Sequence, residues 1–361
     1  MSVKPILDAW IICDNGSNKQ VLSMIEECLS DIPGKIIQTT WVDFGTNRTE
    51  ALQESRFFAQ EMFPNDTCYA FTIDADEELK LPQGYRMPDL DGGALFGYLM
   101  RLGNVHYPRP NFLCLNFGWE FKGEMHEELV CHQDGVAQGI LSGPFIEVRQ
   151  EGKRSKDPLR YYKDSETLKN AYAKDPRPRY LFYRAQALRG AKMEEAAIHV
   201  YKQYIQTNSV AEEVWYAKLC VGRLMIDQGY PESDIVMMLT DALNDRPWRV
   251  EPIATLAQYW RVNQKKELAY WAASHARKIE PCGDLFFAES IWFNGMLDEE
   301  LAMTAFATGR YPDVVDACTK LLQRPDLSDR EIERVQINLH NALTAISAEA
   351  PENSGQMVVT N

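Results

Sequence analysis

Tyr69-Ala70-Phe71-Thr72-Ile73-Asp74-Ala75-Asp76-Glu77-Glu78 is the stretch on which the reading of the fold turns. Its first five residues form a short, largely apolar run that reads as a buried strand. Side chains alternate between the faces of a strand, so Asp74 and Asp76 are expected on one face and Ala75 on the other. A strand ending in Asp-x-Asp would aim both carboxylates from its carboxyl edge into the crevice where open α/β sheets bind ligands. Two convergent carboxylates repel each other unless something positive lies between them, and a divalent cation suits that place. A lone Asp-x-Asp also reads as the polar start of a loop. The segments around it have to decide.

Upstream, short β-rich runs alternate with helical patterns: Ala9 to Cys13, a helix from Lys19 to Leu29, Lys35 to Thr40, and a helix from Arg48 to Met62. That alternation predicts βαβ units and a mainly parallel sheet. From Gly93 to Val148 the chain is rich in Gly, Pro and aromatic residues with short strands, the loop-rich ground that usually carries a site. A polar, linker-like stretch from Arg149 to Pro158 follows, and beyond it everything reads as helix. Small residues pair twelve positions apart: Ala185 with Ala197, Ala257 with Ala269, Ala305 with Ala317. The first two pairs lie 72 residues apart, two repeats of roughly 36, close to the tetratricopeptide period of about 34. A longer, irregular unit surrounds Trp215, Gly222 and Ala242. Three or four helical hairpins stacked as a short solenoid are expected, with a non-repeat α-domain as the other arrangement open to such helices. The polar segment from Glu349 to Asn361 is expected to be disordered.

Composition bounds the function. The chain has 361 residues, 45% of them hydrophobic and 25% charged, enough for two cores of ordinary globular type. A net charge of −14 argues against nucleic acid or an anionic membrane as main partner, since either needs a basic face. The eight cysteines form no Cys-x-x-Cys pair, a pattern of reduced thiols rather than of a disulfide frame or a zinc site. With no charged-then-apolar leader and no run of about 18 apolar residues, a cytoplasmic location is expected.

Three further motifs flank the carboxylates. Asp14-Asn15-Gly16-Ser17 follows the first apolar run; Gly16 allows a tight turn, and Asp14 and Ser17 offer groups to a ligand or to the next helix as caps. In Trp41-Val42-Asp43-Phe44-Gly45-Thr46-Asn47-Arg48, Thr46 or Asn47 is the expected N-cap, and Asp43 and Arg48 add more charge than a cap requires. In Trp119-Glu120-Phe121-Lys122-Gly123-Glu124-Met125-His126-Glu127-Glu128, His126 is a candidate metal ligand and Glu127 a candidate general base.

Taken in order, Asp14 to Ser17, Trp41 to Arg48, Ile73 to Glu77, Trp119 to Glu127 and Gly152 to Ser155, followed by the paired helices, resemble the family-2 glycosyltransferases that carry a tetratricopeptide domain. The resemblance implies a fold that is α/β and then all-α: a Rossmann-like A-type transferase domain over 1–155, a tetratricopeptide-like α-solenoid over 156–348, and a tail over 349–361. It implies an inverting, metal-dependent hexosyltransferase using a nucleoside-diphosphate sugar, with UDP-hexose favoured, and Mn²⁺ or Mg²⁺ held by Asp76 and His126. In that scheme Asp14, Gly16, Asn47, Arg48 and Asp74 cradle the donor, and Lys153 and Arg154 contact its phosphates. Glu127 takes the acceptor's proton, with Glu128 and Glu124 as alternates. The acceptor would be a glycan, a peptide or a small molecule, and the helices would bind it, dock a partner or make a homodimer. Two departures stand out. The family's first strand and helix are missing before Ser2-Val3-Lys4-Pro5, and Gln150 stands where relatives tend to have His. They motivate an alternative: a degenerate transferase that binds nucleotide or sugar and acts mainly as a helical-repeat interaction module.

Overall fold

The computed structural model describes residues 2–90, 92–103, 105–134, 136, 138–149, 156–207, 209–281, 283–284 and 286–349. The chain divides into two compact units, Met1–Val200 and Tyr201–Asn361.

The first unit begins as the alternation predicts. It runs β1 (Trp10–Asp14), α1 (Lys19–Cys28), β2 (Gly34–Gln38), α2 (Phe44–Met62) and β3 (Tyr69–Phe71). Asn18 caps α1 through its side chain, and Asp43, not Thr46 or Asn47, caps α2 by accepting from the Thr46 amide at 2.7 Å. β1 and β2 pair in parallel, and among the described residues they pair only with each other. The later strands are β4 (Glu77–Lys80), β5 (Leu95–Leu102), β6 (Val105–Cys114), β7 (Trp119–Lys122), β8 (Glu128–Cys131) and β9 (Gln138–Val148). β7 and β8 form a separate hairpin, and a five-stranded sheet has the order β3-β6-β5-β9-β4.

In that sheet β5 and β9 are parallel and every other pairing is antiparallel. The expected open, mainly parallel, Rossmann-like sheet is therefore absent among the described residues. Residues 93–148 form three long strands of 8, 10 and 11 residues in addition to the two four-residue strands β7 and β8. The three-residue β3 adds to this group, antiparallel to Phe112–Cys114, instead of continuing β1 and β2.

The strand order also dictates a curl. β3 and β4 lie at opposite edges, about 19 Å apart in a flat sheet of strands spaced about 4.8 Å. Six residue steps from Phe71 to Glu77 span at most about 20 Å when fully extended. This connection instead contains a turn, closed by the Glu77 amide on the Asp74 carbonyl at 3.1 Å. The edges must approach each other, and Asp74 and Asp76 sit where they do.

One face of the sheet buries Leu79, Tyr98, Met100, Phe112 and Ile146. The other packs Leu95 and Leu113 under Leu52 of α2, as alternation along β6 requires for Phe112 and Leu113. Next come α3 (Arg160–Lys174), α4 (Pro178–Gly190) and α5 (Glu194–Ile205). Leu168, Ala171, Tyr180 and Ala187 of α3 and α4 pack on Met125 and Phe44, so these helices share a core with the segment between β7 and β8.

The second unit contains α6 (Ala211–Asp227), α7 (Glu232–Asp245), α8 (Glu251–Val262), α9 (Lys266–Ala276), α10 (Met296–Ala307), α11 (Tyr311–Leu321) and α12 (Asp329–Glu349). α6 packs on α7, α8 on α9 and α10 on α11 as antiparallel hairpins, and each hairpin packs on the next. The small positions close these contacts: Ala257, Ala269, Ala305 and Ala317 are all buried, as are Ala185 and Ala197 in the first unit. At Gly222 a Cβ would lie 2.5 Å from the Leu239 side chain, so α6 and α7 approach there at glycine distance.

A common turn joins the helices of each hairpin. Lys192, Gly229, Gln264 and Gly309 all have positive φ, between 60° and 73°. The residue after each donates its amide to the carbonyl five positions earlier: Met193 to Leu188, Tyr230 to Met225, Lys265 to Trp260, Arg310 to Ala305. This is the Schellman closure of a helix C-terminus, recurring once per hairpin.

Candidate functional site

The carboxylates of the quoted stretch meet arginines. The strand ends at Phe71, so Asp74 and Asp76 lie in a turn rather than on one face of a strand. Arg48, in the first turns of α2, donates one Nη to both Asp74 oxygens at 2.7 and 2.9 Å, and its Nε forms an ion pair with Glu127 at 2.9 Å. Arg109 of β6 grips Glu77 with two bonds of 2.6 and 2.5 Å and lies 3.9 Å from Asp74. Glu77 in turn accepts from the Asp74 amide at 2.9 Å. Burial works against the Arg109 charge, but the bonds and charges of Glu77 and Asp74 outweigh it and hold the guanidinium above its ordinary value. The cluster thus sets three carboxylates against two guanidiniums, each acid already bonded to a cation.

The remaining predicted residues have structural duties or stand apart. Asp14, buried at the end of β1, accepts from the Gly16 and Ser17 amides at 3.1 Å. Hydrogen bonding from Ser17 holds its carboxyl below the ordinary value. Gly16 has φ +113°, which this turn requires. Asn47 is buried and stitches the loop before α2, accepting from the Val42 amide and donating to the Thr40 carbonyl. His126 has φ +52°, and its ring stacks on Tyr183 with centroids 3.9 Å apart. The Arg179 Nε donates to its carbonyl at 2.8 Å. The alternates divide: Glu124 pairs with Lys174 at 2.8 Å, and Glu128 is exposed at the start of β8. Among the described residues the Asp76 carboxylate has no hydrogen-bond or ion-pair partner, and no group of three His, Cys, Asp or Glu side chains converges to hold a metal. Lys153, Arg154 and Gln150 lie outside the described residues, as does 350–361 of the expected tail.

Sequence reasoning missed Arg109 and the pairing role of Glu77. Arg109 sits in Tyr107-Pro108-Arg109-Pro110, and only the strand order, which brings β6 beside the β3–β4 turn, reveals its target.

The second unit has its own polar framework. Arg249, only 1% exposed, bonds Glu251 through two nitrogens, donates to the Phe286 and Phe287 carbonyls, and lies 3.9 Å over the Trp215 ring. Arg223 grips Glu289 with bonds of 2.5 and 2.9 Å, and Arg261 holds Glu300 likewise at 2.7 and 3.1 Å. Lys218 lies 2.7 Å from both Asp241 and Asp245. Large apolar side chains nevertheless stay exposed: Leu268 and Trp271 on α9, Met303 and Phe306 on α10, Met237 on α7 and Val262 at the end of α8. No described helix is long and apolar enough to cross a membrane.

No protein-family model matches the chain, and no curated protein matches it. Among solved structures it is similar to the C-terminal part of a TPR repeat-containing protein from Cytophaga hutchinsonii, at 14% identity over 54% of this chain and 69% of that one, with TM-score 0.41. A thermophilic TPR protein of Thermus thermophilus matches at 13% identity over 51% and 91%, with TM-score 0.34. Residues 1–338 of the assembly chaperone of RpL4, Acl4, match at 14% over 54% and 81%, with TM-score 0.35.

The resemblance to family-2 glycosyltransferases is not upheld. Among the described residues the sheet lacks the parallel order of an A-type transferase domain, and no family model or curated protein points to one. In the structure the short motifs that suggest it form local devices: an Asx turn at Asp14, a cap at Asp43, and an arginine clamp on Asp74 and Glu127. The second unit is an array of helical hairpins.

Proposed function

We propose that the protein is a docking module whose helical hairpins present apolar side chains to a protein partner. The observation that carries this reading is the exposure of Trp271, 48%, and Leu268, 44%, three residues apart on one stripe of α9. Met303 and Phe306 repeat the spacing on α10. The buried Arg249 and the half-buried Arg223 and Arg261 tie the helices through their carboxylate partners, so the exposed rings are held on a rigid frame. Aromatic anchors of this kind dominate protein interfaces. The Asp74–Glu127 cluster is a clasp of the first unit in this reading, and Asp76 is the carboxylate of that turn left to meet a cation, a divalent metal included.

Two variants test it: Trp271→Ser with Leu268→Ser, and Met303→Ser with Phe306→Ser. Each is compared with wild type in quantitative affinity capture from extract and in sedimentation. The reading expects captured partners, or a self-associated species, that are lost in a variant whose circular dichroism is unchanged. Identical captured sets and identical sedimentation for all three proteins would refute it.

A further inference from the structure

A cavity of about 360 Å³ lies in the first unit between α2 and the β7–β8 hairpin. The helix and the hairpin are stitched together at one end. The Gly45 amide bonds the Gly123 carbonyl at 3.2 Å, and the Thr49 hydroxyl both donates to the Phe121 carbonyl and accepts from the Phe121 amide. Further along the same stripe of α2, Leu52, Gln53 and Arg56 line the cavity, facing Phe117, Trp119 and the segment to His132. Its volume falls at the small end of the range of small-molecule sites, about 300–1,000 Å³.

The lining separates into an apolar floor and a charged rim. Leu52 and Leu115 are buried, and the half-buried rings of Phe117 and Trp119, 6.2 Å apart at 46°, form an aromatic wall. The Trp119 Nε1 is already bonded to the Cys114 carbonyl, so the indole offers the cavity a ring and no donor. On the rim Glu120 has Lys122 and His132 each at 3.3 Å. Arg56 and Gln53 have no hydrogen-bond or ion-pair partner among the described residues, so the uncommitted charge at the cavity is positive. A free guanidinium stands out in a chain of net charge −14, where carboxylates are plentiful enough to pair with many of the other arginines. Its planar fork matches a carboxylate, and the Gln53 amide, one turn away, can donate to the same anion.

We propose that this cavity is a binding site for a small aromatic carboxylate, its ring against Phe117 and Trp119 and its acid on Arg56 and Gln53. The site lies wholly in the first unit and does not depend on the docking role of the helices.

Calorimetric titration of the full chain with three probes of one shape tests it: indole-3-acetate, its neutral amide and the cationic tryptamine. The acid is expected to bind one to one in the submillimolar range and at least tenfold more tightly than tryptamine. Arg56→Met, at an exposed position, should weaken the acid about tenfold and leave the amide within twofold, and Gln53→Leu should act in the same direction. Carbon-detected shifts of a labelled Trp119 should move on binding. Equal affinity for acid and amine, an acid affinity indifferent to Arg56→Met in a folded protein, or no binding of any probe would overturn the assignment.

Discussion

Arg109 and Glu77 are joined by two hydrogen bonds of 2.6 and 2.5 Å across the mouth of the curled sheet, with the Glu77 side chain only 4% exposed. The pair ties β6, the neighbour of edge strand β3, to the first residue of the opposite edge strand β4, and so helps hold the sheet in its curl. Removing the cation alone leaves a nearly buried carboxylate without its counter-charge, which typically costs about 3–5 kcal/mol. Arg109→Met is therefore expected to destabilise the first unit by about 3 kcal/mol, the low end applying because the guanidinium side is partly exposed. Glu77→Gln keeps the shape and an acceptor, and should cost less. Urea unfolding, with amide exchange in β4 and β6 as the local readout, checks both the size and the order.

Two glycines make a graded prediction about packing. A Cβ on Gly45 would stand 2.5 Å from the Gly123 carbonyl oxygen and 2.9 Å from that of Phe121, both backbone atoms with no rotamer to retreat into. A Cβ on Gly222 would meet side-chain rather than backbone atoms, the Cδ2 and Cγ of the buried Leu239 at 2.5 and 2.6 Å, whose rotamer can shift only with its neighbours. Gly45→Ala should cost about 2–3 kcal/mol and part α2 from the β7–β8 hairpin, whereas Gly222→Ala should cost about 1 kcal/mol. Thermal melts of the two variants settle the order, and equal shifts would contradict it.

Much of the chain's local structure is legible in its sequence and its global pairing is not. The runs at Ala9–Cys13 and Lys35–Thr40 and the helices from Lys19 and Arg48 all appear within a few residues of their predicted bounds. The pairs Ala257 with Ala269 and Ala305 with Ala317 mark helix–helix contacts because a small residue is the local condition for close approach, and Ala185 and Ala197 are buried as well. Strand partners are a different matter: β3 reads as the third strand of a βαβ series, yet its neighbour is β6, about 40 residues further on. Periodicity reports which face is apolar, not what covers it. The same gap explains the site. Asp74 reads as a donor-site acid because nothing local shows that Arg48 and Arg109 arrive to neutralise it. In the hairpin turns Gly229 and Gly309 are visible breakers, but Lys192 and Gln264 hold the same left-handed geometry with residues that give no sign of it.

Asp14 supplies a pH signature. Its carboxyl lies below the ordinary value of 3.8, chiefly through hydrogen bonding from Ser17, so the folded state favours the ionised form. Such a group contributes stability that is fully present above the unfolded value and is lost as pH falls through it toward the lower folded value. The turn between β1 and α1 should therefore loosen below about pH 4. Carbon-13 titration of the Asp14 carboxyl is expected to show the depressed value, and Ser17→Ala to move it back up. In Asp14→Asn the acid limb of the stability profile should lose this contribution, and a midpoint unchanged by Ser17→Ala would contradict the cause assigned.

The hairpin turns offer a stabilising change. Gln264 sits at φ +60° in the position that Gly229 and Gly309 fill in the neighbouring turns, and the Lys265 amide beyond it closes the helix on the Trp260 carbonyl at 2.8 Å. A side chain in the left-handed region costs about 1–2 kcal/mol, because Cβ crowds the following carbonyl, and glycine is free of that cost. Glycine also widens the unfolded ensemble, which takes back about 0.5–1 kcal/mol. Gln264→Gly should thus raise the stability of the second unit by up to about 1 kcal/mol, while Gly229→Ala should lower it by a similar amount. The opposite signs at equivalent positions are the informative result. They would show that the turns are held by one backbone device, and a melting temperature lowered by Gln264→Gly would show that its side chain contributes something the shared geometry does not explain.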